Sequence, residues 1–191
     1  MVPYEPAVWN SERWESEYGS GTLDYFGSIV ELARYSVLVG YLGHVGRGGR
    51  LLDVGCGQGL LRSRIPDEWV GEYVGVDPTV EAIAQAEALG APRSRFVVGT
   101  VADAVGDAPF DVTFCNEVLS VVPEPAALAD ALVDVTRPGG HVLTSIWRHP
   151  GDTTLWKLLE QRLELVDAVE VKNRANRFGP DGWRVACHRR G

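Results

Sequence analysis

The chain has few cysteines, fewer basic than acidic residues, and no long apolar run. Its 3 cysteines are odd in number and lie in or beside apolar runs, which predicts buried thiols in a reducing compartment. A formal net charge of −8 disfavours a generic nucleic-acid or anionic membrane surface, because both attract basic proteins. We find neither a basic-then-apolar leader nor a run near the roughly 18 apolar residues that cross a bilayer. These absences predict a cytoplasmic protein with a small-molecule substrate, and with neither nucleic acid nor membrane as a partner.

The sequence also lacks internal repeats, low-complexity linkers and metal-ligand spacing. No cluster of His, Cys or Asp has the pattern of a metal site, so we expect no metal. A length of 191 residues suits one domain that can bury a core. We therefore expect a single domain over residues 1–191, in which an aromatic arm and helix over 1–46 form a lid and 48–191 form the core.

Strand and helix patterns alternate along most of the chain. Strands are predicted near 50–55, 72–77, 95–99, 110–116 and 140–147, and helices near 59–65, 79–89, 101–105 and 125–136. A long amphipathic helix over 26–45 precedes them, and a helix over 153–167 is followed by two strands, 168–174 and 183–188, joined by a hairpin loop. Such alternation predicts an α/β fold whose parallel sheet is covered on both faces.

Residues 51–59 read LLDVGCGQG, so an apolar strand end, an acid and three alternating glycines share one short turn. Glycines adopt dihedral angles that a Cβ forbids, and they leave the main chain bare for a ligand. Asp77 ends the next apolar run, where a carboxylate can accept both ribose hydroxyls; capping the following helix is the alternative. A dinucleotide fingerprint would need a third glycine at the position of Leu60. We therefore predict a nucleoside-binding pocket.

At three motifs in the same order, the chain resembles the class I S-adenosylmethionine-dependent methyltransferases. Their glycine-rich first motif matches Asp53 through Gly59, their second-strand acid matches Asp77, and an Arg-Pro-Gly-Gly turn before a strand matches 137–143. The resemblance covers residues 48–147. It implies a Rossmann-like three-layer sandwich with a seven-stranded, mostly parallel sheet and an antiparallel C-terminal strand, and S-adenosylmethionine as cofactor. Another nucleotide-binding fold of the same class is the alternative.

The resemblance also assigns contacts to the cofactor. Asp53 and the glycine turn would hold the methionine end, and the segment after the third strand would contact the adenine. Arg34 could pair with the methionine carboxylate. Tyr18 stands in a Trp-Glu-x-x-Tyr-x-x-Gly pattern that resembles the opening of small thiopurine- and tellurite-type methyltransferases, where this stretch folds over the cofactor; merely pinning the arm to the core is the alternative. The predicted cofactor-binding residues are Asp53, Gly55, Cys56, Gly57, Gly59, Asp77, Pro78, Val101, Ala102, Asn116, Tyr18 and Arg34.

The end of the fourth strand, Asn116-Glu117, lies beside the expected sulfonium. It resembles the ubiquinone-pathway O-methyltransferases, in which a Glu matches Glu117 and a His follows four residues later, where this chain has Val121. Deprotonation by that histidine is therefore excluded. His149 follows the fifth strand and could act as a general base, with a surface-loop role as the alternative. The predicted catalytic residues are His149 and Glu117.

Methyl transfer is an in-line displacement that depends mainly on alignment, so a dedicated base is optional. The segment after the fourth strand has neither the Asn-Pro-Pro-Tyr motif of amino-directed DNA methyltransferases nor the Pro-Cys motif of cytosine C5 enzymes. We predict a methyltransferase that moves a methyl group from S-adenosylmethionine to a small-molecule acceptor. The alternative is a protein of the same fold that catalyses a non-methyl transfer or binds the cofactor without turnover.

Overall fold

The structure is a computed structural model that describes residues 10–104, 109–149, 151–172 and 182–191. Within these residues seven strands form one sheet: β1 Arg50–Val54, β2 Glu72–Asp77, β3 Ser94–Val98, β4 Phe110–Asn116, β5 Thr136–Trp147, β6 Glu164–Lys172 and β7 Gly182–Arg189. The α-helices are α1 Ser11–Gly19, α2 Leu32–Val45, α3 Val80–Glu87, α4 Val101–Ala104, α5 Pro125–Val135 and α6 Asp152–Glu160. Every helix in the described ranges is too short or too polar to traverse a bilayer.

The sheet has the strand order β3-β2-β1-β4-β5-β7-β6. Strands β1 to β5 pair in parallel, whereas β7 runs antiparallel to both β5 and β6. The order reverses between β1 and β4, and ligands of open α/β sheets bind at such a point, beyond the carboxyl ends of the strands. The predicted Rossmann-like fold with an antiparallel C-terminal strand is confirmed.

Apolar layers cover both faces of the sheet. Along β1, Leu51 packs with Leu38 of α2 on one face, and Leu52 packs with Leu132 of α5 on the other. These four side chains are fully buried, and burial of each contributes roughly 1.5–3 kcal/mol of transfer free energy. Because helices occupy both faces, a ligand has access to the sheet at its carboxyl edge.

Two predicted helices differ from the structure. The helix predicted over 26–45 begins only at Leu32, because a 3-10 helix at Asp24–Gly27 and an extended Ser28 precede it. The helix predicted over 59–65 is only a 3-10 turn at Arg62–Arg64. Pro66 disfavours the helical conformation of the residue before it, and Ile65 is extended accordingly.

The C-terminal elements also have different bounds. The helix predicted over 153–167 ends at Glu160, and β6 begins at Glu164. Strand β6 pairs with β7 from Glu164 opposite Arg189 to Lys172 opposite Gly182. This antiparallel pairing confirms that the last two strands form a hairpin. The loop predicted between these two strands, residues 176–182, falls almost wholly outside the described residues. Pro150, which follows the predicted site residue His149, also lies outside them.

A buried histidine makes the stability of this sheet dependent on pH. His188 of β7 has no exposed surface and stacks on Trp156 of α6, with 6.2 Å between ring centroids. Burial lowers the pKa of His188 to about 4, although Glu160 acts in the opposite direction. As pH falls, the unfolded chain binds a proton before the folded chain does. The stability contribution of neutral His188 is therefore present above the ordinary histidine pKa and is lost as the pH falls from there towards the folded-state pKa.

We expect the His188→Phe variant to lose this dependence. Between about pH 7 and about pH 5, its free energy of unfolding should fall by about 2 kcal/mol less than that of the wild type. Urea unfolding at a series of pH values measures the difference, in which contributions of other groups cancel. The His44→Gln variant, which changes an exposed histidine, is the control. Parallel pH profiles for His188→Phe and wild type would contradict the burial of a neutral imidazole.

Candidate functional site

A cavity of about 360 Å³ opens where the strand order reverses. Its walls come from the glycine turn after β1, the carboxyl ends of β2 and β4, the loop after β3, and the N-terminal segment from α1 to α2. Of the predicted cofactor-binding residues, the cavity is lined by Tyr18, Arg34, Asp53, Gly55, Cys56, Gly57, Asp77, Pro78, Val101 and Asn116. The structure thus brings together residues that are up to 98 positions apart in the chain.

The glycine turn presents bare main chain to the cavity. Gly55 and Gly57 have φ angles of +69° and +52°, which lie in the left-handed region that favours glycine. A Cβ on Gly57 would lie 2.6 Å from the hydroxyl oxygen of Tyr18. The turn is held in place because the amides of Gly55 and Cys56 both donate to the Val76 carbonyl, at 2.8 and 3.0 Å. A side chain on either glycine would disturb this arrangement.

Asp77 joins the glycine turn to the start of α3. Its Oδ2 accepts a hydrogen bond from the Gly57 amide at 3.0 Å, and its Oδ1 accepts one from the Thr79 amide at 2.9 Å. Burial raises the pKa of Asp77, and these amides oppose the shift. Each carboxylate oxygen can accept a further hydrogen bond, so a ribose-binding role and a structural role are compatible.

Asp53 is buried at the end of β1, with 1% of its surface exposed. The Tyr73 hydroxyl donates to its Oδ2 at 2.5 Å, whereas its Oδ1 has no hydrogen-bond partner within the described residues. Burial raises the pKa of Asp53 to about 7, and the Tyr73 hydrogen bond acts against this shift. A buried oxygen without a partner on a cavity wall is a strong site for a donor or a cation.

Arg34 places a buried positive charge on the wall of the cavity that Asp53 also lines. Its Nε donates to Glu31 at 2.9 Å, and its terminal nitrogens donate to the Asn116 side chain at 2.5 Å and the Tyr35 hydroxyl at 3.1 Å. Arg34 and Glu31 have side-chain exposures of only 2% and 7%. The guanidinium has five N–H groups, so it retains donors for a carboxylate ligand.

Glu117 has an unusual backbone for a residue with a side chain. Its φ angle is +65°, a conformation that costs roughly 1–2 kcal/mol outside glycine. The Ser145 hydroxyl lies 2.6 Å from Oε1, and the Trp147 amide donates to Oε2 at 3.1 Å. Burial raises the pKa of Glu117, and Arg34 acts in the opposite direction. The chain thus fixes a carboxyl group of increased basicity at the cavity wall.

The N-terminal segment lies across the cavity and is fastened to α3. Glu15 accepts hydrogen bonds from the amides of Val80 and Glu81, at 2.8 and 3.1 Å, as acidic groups do at helix N-termini. Tyr18 packs with Leu23 and Ala82, and Trp14 and Phe26 extend this cluster. The aromatic residues Tyr4 and Trp9 of the predicted arm lie outside the described residues.

Three predicted site residues lie outside the cavity lining. Gly59 has φ +75°, and its backbone instead allows close packing, since a Cβ there would lie 2.6 Å from Leu89. Ala102 is exposed on α4. The ring of His149 packs on Trp147, with 4.8 Å between centroids.

Asp103 also belongs to the segment after the third strand, which was predicted to contact the adenine. Asp103 accepts hydrogen bonds from the amide and hydroxyl of Thr100, at 2.8 and 3.0 Å. This is a capping arrangement for α4, so its carboxylate is engaged in the helix start. An apolar cavity wall follows β4 and was not predicted from the sequence; it consists of Val118, Val121, Val122, Pro123 and Leu128. The apolar run after Glu117 was the available signal.

Comparison with known proteins agrees with this geometry. Residues 52–144 match the family described as Methyltransferase domain. This match covers just under half of the chain and identifies a methyltransferase domain of the class I S-adenosylmethionine-dependent type. The family uses S-adenosylmethionine, as predicted.

A curated relative of this methyltransferase chain is the ubiquinone biosynthesis O-methyltransferase of Xylella fastidiosa strain M23. It is 36% identical over 104 residues, which are 51% of this chain and 42% of the relative. The chain thus matches less than half the length of that protein.

Two solved structures share the fold of the methyltransferase chain. The N-methyltransferase NodS of Bradyrhizobium japonicum WM9, in complex with S-adenosyl-L-homocysteine, has a TM-score of 0.81 at 16% identity, over 94% of this chain and 97% of that one. The [4+2]-cyclase SpnF has a TM-score of 0.67 at 20% identity, over 81% of this chain and 80% of that one. At these identities the likeness concerns the fold.

Proposed function

We propose that the protein transfers a methyl group from S-adenosylmethionine to a small-molecule acceptor. The observation that carries the proposal is the set of polar groups on the cavity wall. Asp77 suits the ribose of an adenosyl group, while the bare glycine turn, the unpartnered Asp53 oxygen and Arg34 suit an amino-acid group with an ammonium and a carboxylate. An amino-acid group joined to a nucleoside matches this pattern of charge.

The residues present fit this cofactor. When bound, S-adenosylmethionine supplies a methyl group attached to a positively charged sulfur. Asp77 would accept the ribose hydroxyls, Pro78 and Val101 would flank the adenine, and Cys56 and Asn116 would contact the methionine portion through their main chain or side chain. Tyr18 and Trp14 would cover the site, exclude water and present ring faces to a cation.

The acceptor end combines one carboxyl group with apolar walls. Glu117 faces the cavity together with Phe26 of the arm and the apolar residues after β4. We propose that Glu117 accepts a hydrogen bond or a proton from the acceptor, because Ser145 and Trp147 hold its carboxyl group in place. Cover of the cavity by Trp14, Tyr18 and Phe26, with a net charge of −8, favours a small molecule over nucleic acid.

Binding and turnover test the proposal separately. Calorimetry should show binding of S-adenosylhomocysteine and none of NAD. Incubation with isotope-labelled S-adenosylmethionine and a metabolite extract, followed by mass spectrometry, should show a labelled methylated product and S-adenosylhomocysteine. Absence of binding in folded protein would refute the cofactor assignment. Binding with unchanged cofactor after long incubation would support a binding module instead.

A second enzyme class has one observation in its favour. The [4+2]-cyclase SpnF shares the fold, so the fold alone is compatible with chemistry other than methyl transfer. In the same incubation, a product without the label and an intact cofactor would support that alternative.

Asp77→Asn should weaken the binding of S-adenosylhomocysteine about tenfold, because hydrogen bonds to a charged acceptor are stronger by about 1.5 kcal/mol than those to a neutral one. The amide is isosteric, but its NH2 group replaces an oxygen that accepts from the Gly57 or the Thr79 amide, so the loss reports the charge together with that contact. Calorimetry measures the affinity. The Asp130→Asn variant, which changes an exposed acid paired with Arg162, should bind like the wild type. Unchanged affinity in folded Asp77→Asn would argue against ribose recognition by Asp77.

A further inference from the structure

A buried pair beneath the cavity links the proposed cofactor site to the interior of the sheet. Asp53 of β1 and Tyr73 of β2 lie on adjacent parallel strands, where Tyr73 is opposite Leu51 and Asp53 is opposite Gly75, and Tyr73 has no exposed surface. The Tyr73 hydroxyl donates to Asp53 Oδ2 at 2.5 Å, while Oδ1 of this cavity-lining residue is buried without a hydrogen-bond partner among the described residues. The two oxygens of the Asp53 carboxyl group therefore differ: one is hydrogen-bonded inside the protein and the other is available to a ligand.

Tyr73 is the hydrogen-bond donor that the structure gives to this carboxyl group. Its hydrogen bond engages Oδ2 and restrains the rotation of the side chain, so that Oδ1 is the oxygen left to accept from a ligand. It also favours the charged form of Asp53, because a donor stabilises a carboxylate more than a carboxylic acid. Without it, a carboxyl group this deeply buried would bind a proton more readily.

We propose that Tyr73 is a positioning residue that sets the charge of Asp53, and that binding of a cationic ammonium at Oδ1 displaces a proton from this carboxyl group to solvent. The inference rests on the proposed function, since the ammonium is that of the amino-acid end of the cofactor. The step forms no covalent bond: the carboxylic acid loses one proton and pairs with the ammonium. Cofactor affinity then depends on pH.

Several other ionisable groups face Asp53. Asp77 favours the protonated form of Asp53, whereas Arg34 favours the carboxylate. The thiols of Cys56 and Cys115 lie near enough to interact with it. Burial is the largest effect and raises the pKa of Asp53 to about 7, so the carboxyl group changes charge within an accessible pH range. Because only the carboxylate attracts an ammonium, affinity for an ammonium should fall as the pH falls through the pKa of Asp53.

The Tyr73→Phe variant tests the proposal because it removes the hydroxyl and retains the ring. We expect the pH at which affinity for S-adenosylhomocysteine is half lost to rise by about one unit, which gives binding about tenfold weaker below neutral pH and equal binding near about pH 9. Calorimetry in two buffers of different ionisation enthalpy should count more protons released by Tyr73→Phe at neutral pH than by wild type. The Asp53→Asn variant should release none from this site.

A ligand without the ammonium provides the matched control. 5′-Methylthioadenosine has the adenosyl group and the thioether but no amino-acid portion, so wild type and Tyr73→Phe should bind it equally at every pH. Equal pH profiles for S-adenosylhomocysteine in the two proteins would overturn the proposal. If Tyr73→Phe does not fold, Asp53→Asn decides: a pH profile that matches that of wild type would overturn it. No binding of S-adenosylhomocysteine by wild type would instead refute the proposed function.

Discussion

Replacing Arg34 by methionine is expected to lower the free energy of unfolding by about 3–5 kcal/mol, the usual cost of breaking a buried ion pair from one side. Arg34 and Glu31 are both almost completely buried, with 2.9 Å between Nε and the carboxylate. The same guanidinium donates to Asn116 on β4 and to Tyr35. Methionine fills a similar volume, so the loss reports uncompensated polar groups rather than a cavity.

The N-terminal segment provides a matched control for this experiment. Arg13 of α1 also pairs with a glutamate, Glu17, at 2.7 Å, but its side chain is 55% exposed. The Arg13→Met variant should lose less than about 1 kcal/mol, because exposed ion pairs contribute little. Urea unfolding monitored by circular dichroism measures both values. Adding Glu31→Gln to Arg34→Met should recover part of the loss, since it removes the unpaired charge. Equal small losses at positions 34 and 13 would show that the buried network is not a main source of stability.

The alternation of strands and helices, and the glycine turn with its neighbouring acids at strand ends, were predictable from the sequence. Alternating apolar runs and helices indicate a parallel sheet, and Asp53, Gly57 and Asp77 belong to local motifs whose spacing reflects strand ends. Each of these residues lies where a short stretch of chain determines its position. This is why the structure brings them to one cavity as expected.

Other parts of the site depend on contacts between distant segments. Tyr73 and Asp53 are 20 residues apart, and Glu15 caps a helix 65 residues away. No local pattern predicts such contacts, because strand pairing and helix docking create them. By contrast, Glu31 precedes Arg34 by only three residues. In a helical segment this spacing brings two side chains together, so it does indicate an ion pair.

Two differences between the predictions and the structure also have physical causes. His149 follows a strand at its carboxyl end, but position in the chain does not fix the direction in which a loop leaves the sheet, and its ring packs on Trp147 instead. The helix predicted over 59–65 was inferred from an apolar pattern. Pro66 disfavours a helical conformation at Ile65, and the guanidinium of Arg62 donates to the Ile65 carbonyl at 3.1 Å, so the helix does not form.

Glu117→Gln is expected to reduce kcat at least about 100-fold while changing S-adenosylhomocysteine affinity little, because removal of a general base costs about 10²–10⁴ in rate. Glutamine is isosteric and can hydrogen-bond with Ser145 and the Trp147 amide, which hold the carboxyl group of the wild type. The separation between rate and affinity distinguishes a role in the reaction from a role in binding.

The pH dependence sharpens this test. Burial raises the pKa of Glu117, so a rate that requires its carboxylate should increase as the pH rises through that pKa. The Glu117→Gln variant should lose this limb of the pH–rate profile, whereas Glu68→Gln, which changes an exposed acid in the 3-10 helix Asp67–Trp69 before β2, should retain it. Formation of S-adenosylhomocysteine, with the acceptor found by mass spectrometry, gives the rates. A Glu117→Gln enzyme with the wild-type rate and profile would show that alignment alone accounts for the reaction, as an acceptor that needs no deprotonation would permit.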